Sequence, residues 1–142
     1  MTVPAFWRAA EFSVAEMADL IGVSEVTLRT WLMRNPYPEF VGTKELHRVF
    51  FTAKQIFFYL IVHKLGAYGV PIRTAMAAAS NYASDGLPLD KWLIVRTDGT
   101  KTEFELAEDI PFLHEPALVL PLRALAIGMI ARAADVYARE LN

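Results

Sequence analysis

The segment 14–33 reads as two short helices joined by a tight turn, and it restricts the possible fold more than any other part of the chain. Ser13 precedes the first helix and Glu16 stands at the third helical position, which is the pattern of a capping box. Gly22 stands where the chain must turn sharply, since glycine tolerates the positive φ that such a turn requires. Ser24 can cap the second helix. Together these features predict a helix-turn-helix.

The second helix of a helix-turn-helix enters the major groove of DNA, so its outward side chains become candidate contacts with bases and phosphates. The candidates in this helix and its cap are Ser24, Glu25, Thr27, Arg29, Thr30 and Arg34. Two alternatives stay open. Arg29 can pair with Glu25, four residues earlier, and a plain helical hairpin produces the same apolar pattern.

A small β-hairpin is predicted directly after this helix. The β-prone runs 39–41 and 46–51 flank the polar segment 42–45, which contains a glycine and is predicted to be the turn. A hairpin in this place would be a wing that reaches the DNA backbone or the minor groove. Its candidate contacts are Lys44, His47 and Arg48, although each could equally be a solvated surface residue.

Two further helices are predicted before the helical pattern stops. Thr52 and Gln55 form a second capping box, and Gly66 is predicted to end the third helix. Pro71 opens a fourth helix, since proline is tolerated in the first turn. The segment 80–88 is rich in Ser, Asn, Asp, Gly and Pro, and it is predicted to be a boundary between two regions.

The predicted fold is mainly α with small β-hairpins, divided into a winged helix-turn-helix domain at residues 1–82 and a second region at 88–142. In the second region, strands at 92–96 and 102–106 flank an Asp-Gly turn, with Leu106 expected to point inward, and a short strand precedes a helix at 122–141. The apolar face of this helix is wider than a two-layer core needs, so it is predicted to mediate dimerisation or to bind a partner. That face comprises Leu122, Leu125, Met129, Ile130, Ala133 and Tyr137.

Composition argues against several classes of function. The 142 residues include no cysteine, which excludes disulfides, zinc fingers and thiol catalysis. The three histidines show no metal-ligand spacing. No nucleophile, paired acid or phosphate-cradling glycine loop appears, so we expect neither an enzyme nor a bound metal or cofactor. The neighbours His114 and Glu115 lack the third partner that catalysis would need.

The charge is unevenly distributed along the chain. The net charge is −2, but residues 1–79 hold eight Lys and Arg against six Asp and Glu, whereas residues 80–142 hold six against ten. The positive excess therefore lies in the half that contains the predicted helix-turn-helix. Because phosphate contacts dominate the affinity for DNA and this excess is modest, we expect a homodimer, which doubles those contacts.

The longest apolar stretch, at 117–131, is predicted to be core or interface. It contains Pro121 and Arg123 and is shorter than the ~20 residues that a spanning helix needs, so no membrane partner is expected. The first residues lack a basic start followed by an apolar run, which is the pattern of a secretory signal. The predicted location is the cytoplasm, in association with the nucleoid.

Several motifs in the first half occur together in one known family. They are Gly22-Val23-Ser24 followed by Thr27-Leu28-Arg29, the strand at Arg48 that leads into a Thr-capped helix, and Leu65-Gly66 before the fourth helix. With them, the stretch 12–79 resembles the N-terminal winged-helix domain of MerR-family transcription regulators. The resemblance implies a cytoplasmic, dimeric DNA-binding protein in which Arg29 and Arg48 contact DNA. The family's long dimerisation helix is not apparent after the fourth helix.

The sequence is compatible with three functions. The first is a sequence-specific regulator of transcription that binds double-stranded DNA as a dimer. The second is a DNA-binding or adaptor subunit of a phage-type excision or packaging assembly, with a protein partner on the C-terminal region. The third is a regulator that responds to a small apolar ligand. The side chains considered for its pocket are Trp92, Phe104, Phe112 and Met129.

Overall fold

The computed structural model describes residues 2–110 and 112–141, which form a mixed α/β fold with five α-helices and two three-stranded antiparallel sheets. The helices are α1 (Val14–Ile21), α2 (Glu25–Arg34), α3 (Ala53–Ala67), α4 (Ile72–Ser80) and α5 (Leu122–Leu141). The strands are β1 (Phe12–Ser13), β2 (Thr43–Glu45), β3 (Arg48–Phe51), β4 (Trp92–Thr97), β5 (Thr102–Ala107) and β6 (Leu118–Pro121). A short 3₁₀ helix covers Ala5–Trp7. The short strand predicted before the final helix is β6, which adds a third strand to the second hairpin, whereas β1, which adds a third strand to the first hairpin, was not predicted.

Both predicted capping boxes are confirmed. The backbone N–H of Ser13 donates to Oε1 of Glu16 at 2.8 Å, and the N–H of Glu16 donates to Oγ of Ser13 at 3.2 Å. Thr52 and Gln55 make the same reciprocal pair at the start of α3, at 2.9 and 3.0 Å. Gly22 ends α1 with φ of +90°, so its predicted role in the turn is also confirmed.

The end of α3 lies beyond the predicted position. Gly66 is inside the helix, and the chain leaves it at Gly69, where φ is +104°. The N–H of Val70 donates to the carbonyl of Leu65 at 3.0 Å, which closes the helix end. The prediction that Gly66 ends the helix is therefore wrong, because two glycines lie close together and only the second one takes the left-handed conformation.

The first hairpin forms, but its turn is not the predicted segment 42–45. Most of that segment is strand β2, and the turn is the pair Leu46–His47. Gly42 has φ of +85°, and a Cβ at this position would lie 2.6 Å from Cγ1 of Val49. Gly42 therefore allows the chain to approach β3 closely, and the reversal of direction comes after it. The other edge of β3 pairs with β1, where Phe12 lies opposite Phe51.

The second sheet follows the prediction closely. Strand β4 lies between β5 and β6, and Trp92 pairs with Ala107 at the far end from the Asp-Gly turn. The carboxylate of Asp98 accepts hydrogen bonds from the N–H groups of Lys101 and Thr100, and these bonds lower the pKa of Asp98 to about 2. Leu106 lies opposite Leu93, which belongs to the core, so it is on the inward face as predicted, although on this edge strand it remains 40% exposed.

One hydrophobic core includes side chains from both predicted regions. The indole N–H of Trp7 donates to the carbonyl of Ser84 at 2.9 Å, inside the predicted boundary. The guanidinium of Arg132 on α5 donates to the carbonyl of Leu20 at the end of α1, at 3.4 Å. The segment 80–88 is therefore a connection along the chain and not a gap in the packing.

The apolar face of α5 is turned toward this core. Leu122, Met129, Ile130 and Ala133 are buried, and Leu125 and Tyr137 are partly buried and packed against the core. The ring of Tyr137 lies 5.5 Å from Phe6 and 6.4 Å from Phe12, measured between centroids. This corrects the prediction of a dimerisation face, because side chains already covered by the same chain offer no surface to a second copy.

No helix in the described ranges, which include the whole apolar stretch 117–131, is long and apolar enough to cross a membrane. Strand β6 and the first half of α5 account for that stretch. Its apolar side chains serve the core, as the sequence predicted.

Candidate nucleic-acid interface

Helix α2 lies on the surface and is attached by Leu28, which is buried, and by Trp31 and Leu32, which are partly buried against the core. Of its ten residues only Leu28 is buried. Val26, Thr30 and Met33 recur at helical spacing on the side opposite Leu28, and we call them the outer stripe. Val26 is 74% exposed and Met33 is 76% exposed. A surface helix normally carries polar residues opposite its buried face, so the outer stripe is a candidate contact surface.

Arg29 borders the outer stripe and pairs with Glu25. Its Nη2 lies 2.8 Å from Oε1 of Glu25, and the two side chains are 61% and 45% exposed. The pairing considered from the sequence is therefore present. An exposed i, i+4 pair of this kind contributes about 0.3–0.5 kcal/mol, so a stronger acceptor such as a phosphate can displace Glu25 at small cost.

The predicted hydroxyl contacts of α2 are largely used within the helix. Oγ of Ser24 accepts from the N–H of Thr27 at 3.1 Å and donates to its Oγ1 at 2.8 Å. The hydroxyl of Thr30 donates to the carbonyl of Val26 at 2.9 Å. Ser24 and Thr27 are thus explained by the helix cap, and Thr30 adds a methyl group to the outer stripe.

A groove separates α2 from the first hairpin and brings residues of both elements together. A pocket of about 230 Å³ at one end is lined by residues that include Arg29, His47 and Arg48. An adjoining pocket of about 450 Å³, which also includes Arg29, is lined by apolar side chains such as Met33 and Val41. This α2–hairpin groove therefore has a cationic end and an apolar end. The sequence predicted the first but not the second.

Arg48 lies near an aromatic ring and near a group of carboxylates. Its guanidinium lies 5.2 Å from the centre of the Phe50 ring, which is a cation–π contact. A hydrogen bond to Glu16 raises the pKa of Glu140 at the end of α5, and the charge of Arg48 opposes that rise. Arg48 is thus shared between the groove and a group of carboxylates that includes Glu11.

Lys44 and Arg34 lie at the margins of the interface. Lys44 is exposed in β2, where it pairs with Val49 across the hairpin and does not occupy the turn. Arg34 ends α2 and lines a separate cleft of about 360 Å³, together with Tyr37 and Arg73. Arg73 was not predicted as a contact, because its position early in α4 carries no motif. Within residues 2–110 and 112–140, no carboxylate lies within salt-bridge distance of Arg34, Lys44 or Arg48.

The side chains considered for an apolar ligand pocket do not converge. Met129 is fully buried in the core, whereas Phe112 is 85% exposed and rests near His114. They cannot line one cavity, so the structure corrects this part of the ligand hypothesis. His63 is partly buried beside Trp31, and burial, aided by the charge of Lys64, lowers the pKa of His63.

No protein-family model matches the sequence, and no curated protein is significantly similar to it.

Proposed function

We propose that this protein is a sequence-specific regulator that binds double-stranded DNA through a winged helix-turn-helix of the MerR type. In this proposal α2 enters the major groove and the first hairpin contacts the backbone and the minor groove. The observation that carries the proposal is the outer stripe of α2. Leu28, Trp31 and Leu32 hold one side of α2 to the core, and Val26 and Met33 on the other side are directed into solvent, where a groove of DNA can reach them.

The charges beside the outer stripe support DNA over an uncharged partner. Arg29, His47 and Arg48 line the same end of the α2–hairpin groove, and Lys44 is exposed on the hairpin. Phosphate contacts from such side chains fix the position of a protein on the duplex. The apolar outer stripe then lies where base edges are read, since thymine presents a methyl group in the major groove.

Two copies on an inverted repeat fit the modest positive charge of the N-terminal half. The symmetry of an operator mirrors that of a dimer, so the half-sites are expected about one helical turn apart. The buried face of α5 does not hold this dimer together. The copies would meet through other surfaces or through the DNA itself, in the cytoplasm and with the nucleoid.

The test is the retention of fragmented genomic DNA by the purified protein at about 150 mM salt, followed by sequencing. We expect one enriched motif, built as an inverted repeat. The double variant Arg29→Ala, Arg48→Ala should lose that enrichment. Its matched control is Arg96→Ala, Arg139→Ala, which removes the same charge from side chains outside the groove and should retain it.

The salt dependence of binding gives a second measure. If Arg29 and Arg48 each neutralise a phosphate, the double variant should lower the slope of log K against log salt by about two, roughly 0.9 per contact. An unchanged slope in the double variant, or retention of DNA without any shared motif, would contradict the proposal.

An adaptor subunit of a phage-type excision or packaging assembly is the second candidate. The observation that favours it is the exposure of Ile110 and Phe112, which are 74% and 85% accessible beyond β5. It predicts that a protein partner is captured by the native chain and lost with Ile110→Ser, Phe112→Ser. The double variant Arg29→Ala, Arg48→Ala should then still capture the protein partner, whereas for the regulator the same variant should lose its activity.

A further inference from the structure

The tip of the first hairpin combines an unfavourable backbone with an unusual side chain. Leu46 and His47 form the two-residue turn between β2 and β3, which pair from Glu45 to Arg48 outward. Leu46 has φ of +55°, and its side chain is 93% exposed. Two-residue hairpin turns strongly favour asparagine, aspartate or glycine, because these residues tolerate positive φ.

Leucine at this position disfavours folding, and no contact of its side chain within the described part of the protein offsets that loss. A left-handed conformation in a residue with a bulky side chain lowers the folding equilibrium constant roughly tenfold. Burial could offset that loss, but the Leu46 side chain has almost no contact with the described residues. Backbone conformations of this kind concentrate at functional sites, where the strain can be part of the mechanism.

The surroundings of Leu46 identify the kind of bound state. Lys44, His47 and Arg48 stand on the same hairpin, within two positions of the tip. The two strands of a hairpin lie about 5 Å apart, and the minor groove of B-DNA is about 6 Å wide, so a tip is the part of this fold that can enter it. Leucine is among the side chains that minor-groove proteins insert between base pairs.

We propose that Leu46 is a wedge that enters the minor groove next to the site read by α2, partly unstacks one base step and bends the duplex. This inference rests on the proposed function. It adds a sequence preference at a position without polar base contacts, since pyrimidine–purine steps such as TA and CA are the easiest to unstack. We therefore expect such a step beneath the hairpin.

One substitution has opposite expected effects on the stability of the fold and on DNA binding, and so tests the proposal. Leu46→Asn removes the wedge and accepts the positive φ, so the melting temperature should rise by roughly 3 °C. The same variant should bind the duplex enriched by the native protein at least about tenfold more weakly, because the buried apolar contact is lost. End-to-end energy transfer in that duplex, labelled at both ends, should report a smaller bend.

Two further variants serve as controls. Leu89→Asn makes the same change at a leucine that is 56% exposed and has no positive φ, so neither the melting temperature nor binding should change as in Leu46→Asn. Leu46→Met keeps an apolar wedge and should keep the bend.

The outcomes distinguish this inference from the function on which it rests. If the native protein enriches no duplex, the proposed regulator fails and the wedge fails with it. If the native protein binds a motif without bending it, or if Leu46→Asn binds and bends that motif like the native chain, the wedge is refuted and the regulator stands.

Discussion

Helices α2 and α3 are neighbours in sequence and place their apolar residues in opposite ways. In α3, nine of the fifteen residues are buried, on every side of the helix. In α2, one of ten is buried, and Val26 and Met33 point away from the core. Apolar residues in α3 are accounted for by the chain itself. Val26 and Met33 in the outer stripe of α2 are not covered by the described residues, and this difference marks the surface on which the proposed function depends.

The aromatic residues of α3 form the support beneath that surface. The ring of Phe58 stacks on Phe40 with centroids 4.0 Å apart, and the hydroxyl of Tyr59 donates to the carbonyl of Phe40 at 2.7 Å. These contacts hold the segment that connects α2 to the hairpin. One helix thus supplies rigidity, and the other supplies an accessible face.

The largest expected effect comes from weakening α3. Phe57→Ala removes a fully buried ring that lies 5.9 Å from Trp7, and it should lower the free energy of unfolding by about 3–5 kcal/mol. Urea denaturation followed by circular dichroism measures the change. A loss below about 1 kcal/mol would show that α3 is not the support described here.

A sharper comparison uses the two faces of α2. Leu28→Ala should lower the free energy of unfolding by about 3 kcal/mol, because the only buried side chain of the helix leaves a cavity. Met33→Ala should change it by less than about 0.5 kcal/mol, since an exposed side chain loses little on truncation. Equal losses in the same denaturation experiment would mean that both faces of α2 are packed.

The outer stripe should distinguish thymine from uracil. Replacing one contacted thymine by uracil in the enriched duplex deletes a single methyl group, which should weaken binding by about 0.8 kcal/mol, or roughly fourfold. Fluorescence anisotropy measures the two affinities. In the Met33→Ala variant, the difference in affinity between the thymine and uracil duplexes should become smaller at one position of the motif. Equal affinities for both duplexes at every position would remove the stripe from base recognition.

The smallest effect concerns the carboxylates beside Arg48. The hydrogen bond to Glu16 raises the pKa of Glu140, so the contribution of this pair to stability is present below the ordinary carboxyl pKa and is lost as pH rises through the raised value. Glu140→Gln should therefore raise the melting temperature slightly at pH 7 and leave it unchanged near pH 3. A melting temperature that falls at pH 7 would show that the charged form is the stabilising one.

Local signals predicted the helices and strands well. The capping boxes at Ser13 and Thr52 depend on residues three positions apart, so their pattern is complete in the sequence. The final helix and the second hairpin also occur where predicted. These features require no information about distant parts of the chain.

The sequence predictions are wrong where contacts between distant parts of the chain determine the structure. The periodicity of α5 shows that its face is apolar, but not that Phe6 and Phe12 cover part of it. The predicted turn of the first hairpin is at the wrong residues. Gly42 is needed for the close approach to Val49, and the turn is formed further along the chain, at Leu46. In the candidate interface, the sequence named the cations and Thr30 as contacts but not Val26 and Met33, because the exposure of these two apolar side chains is visible only in the structure.

The contact between α5 and α1 also determines when the fold can be completed. Leu20 and Arg132 are 112 positions apart, and contacts of such long range form slowly because the loop between them must first close. A ribosome adds about 5–20 residues per second, so for several seconds α1 exists while Tyr137 has not been made. During that interval Phe6 and Phe12 lack their cover. The N-terminal half therefore completes its packing only after α5 has been synthesised, and a chain that ends before Tyr137 leaves Phe6 and Phe12 partly uncovered.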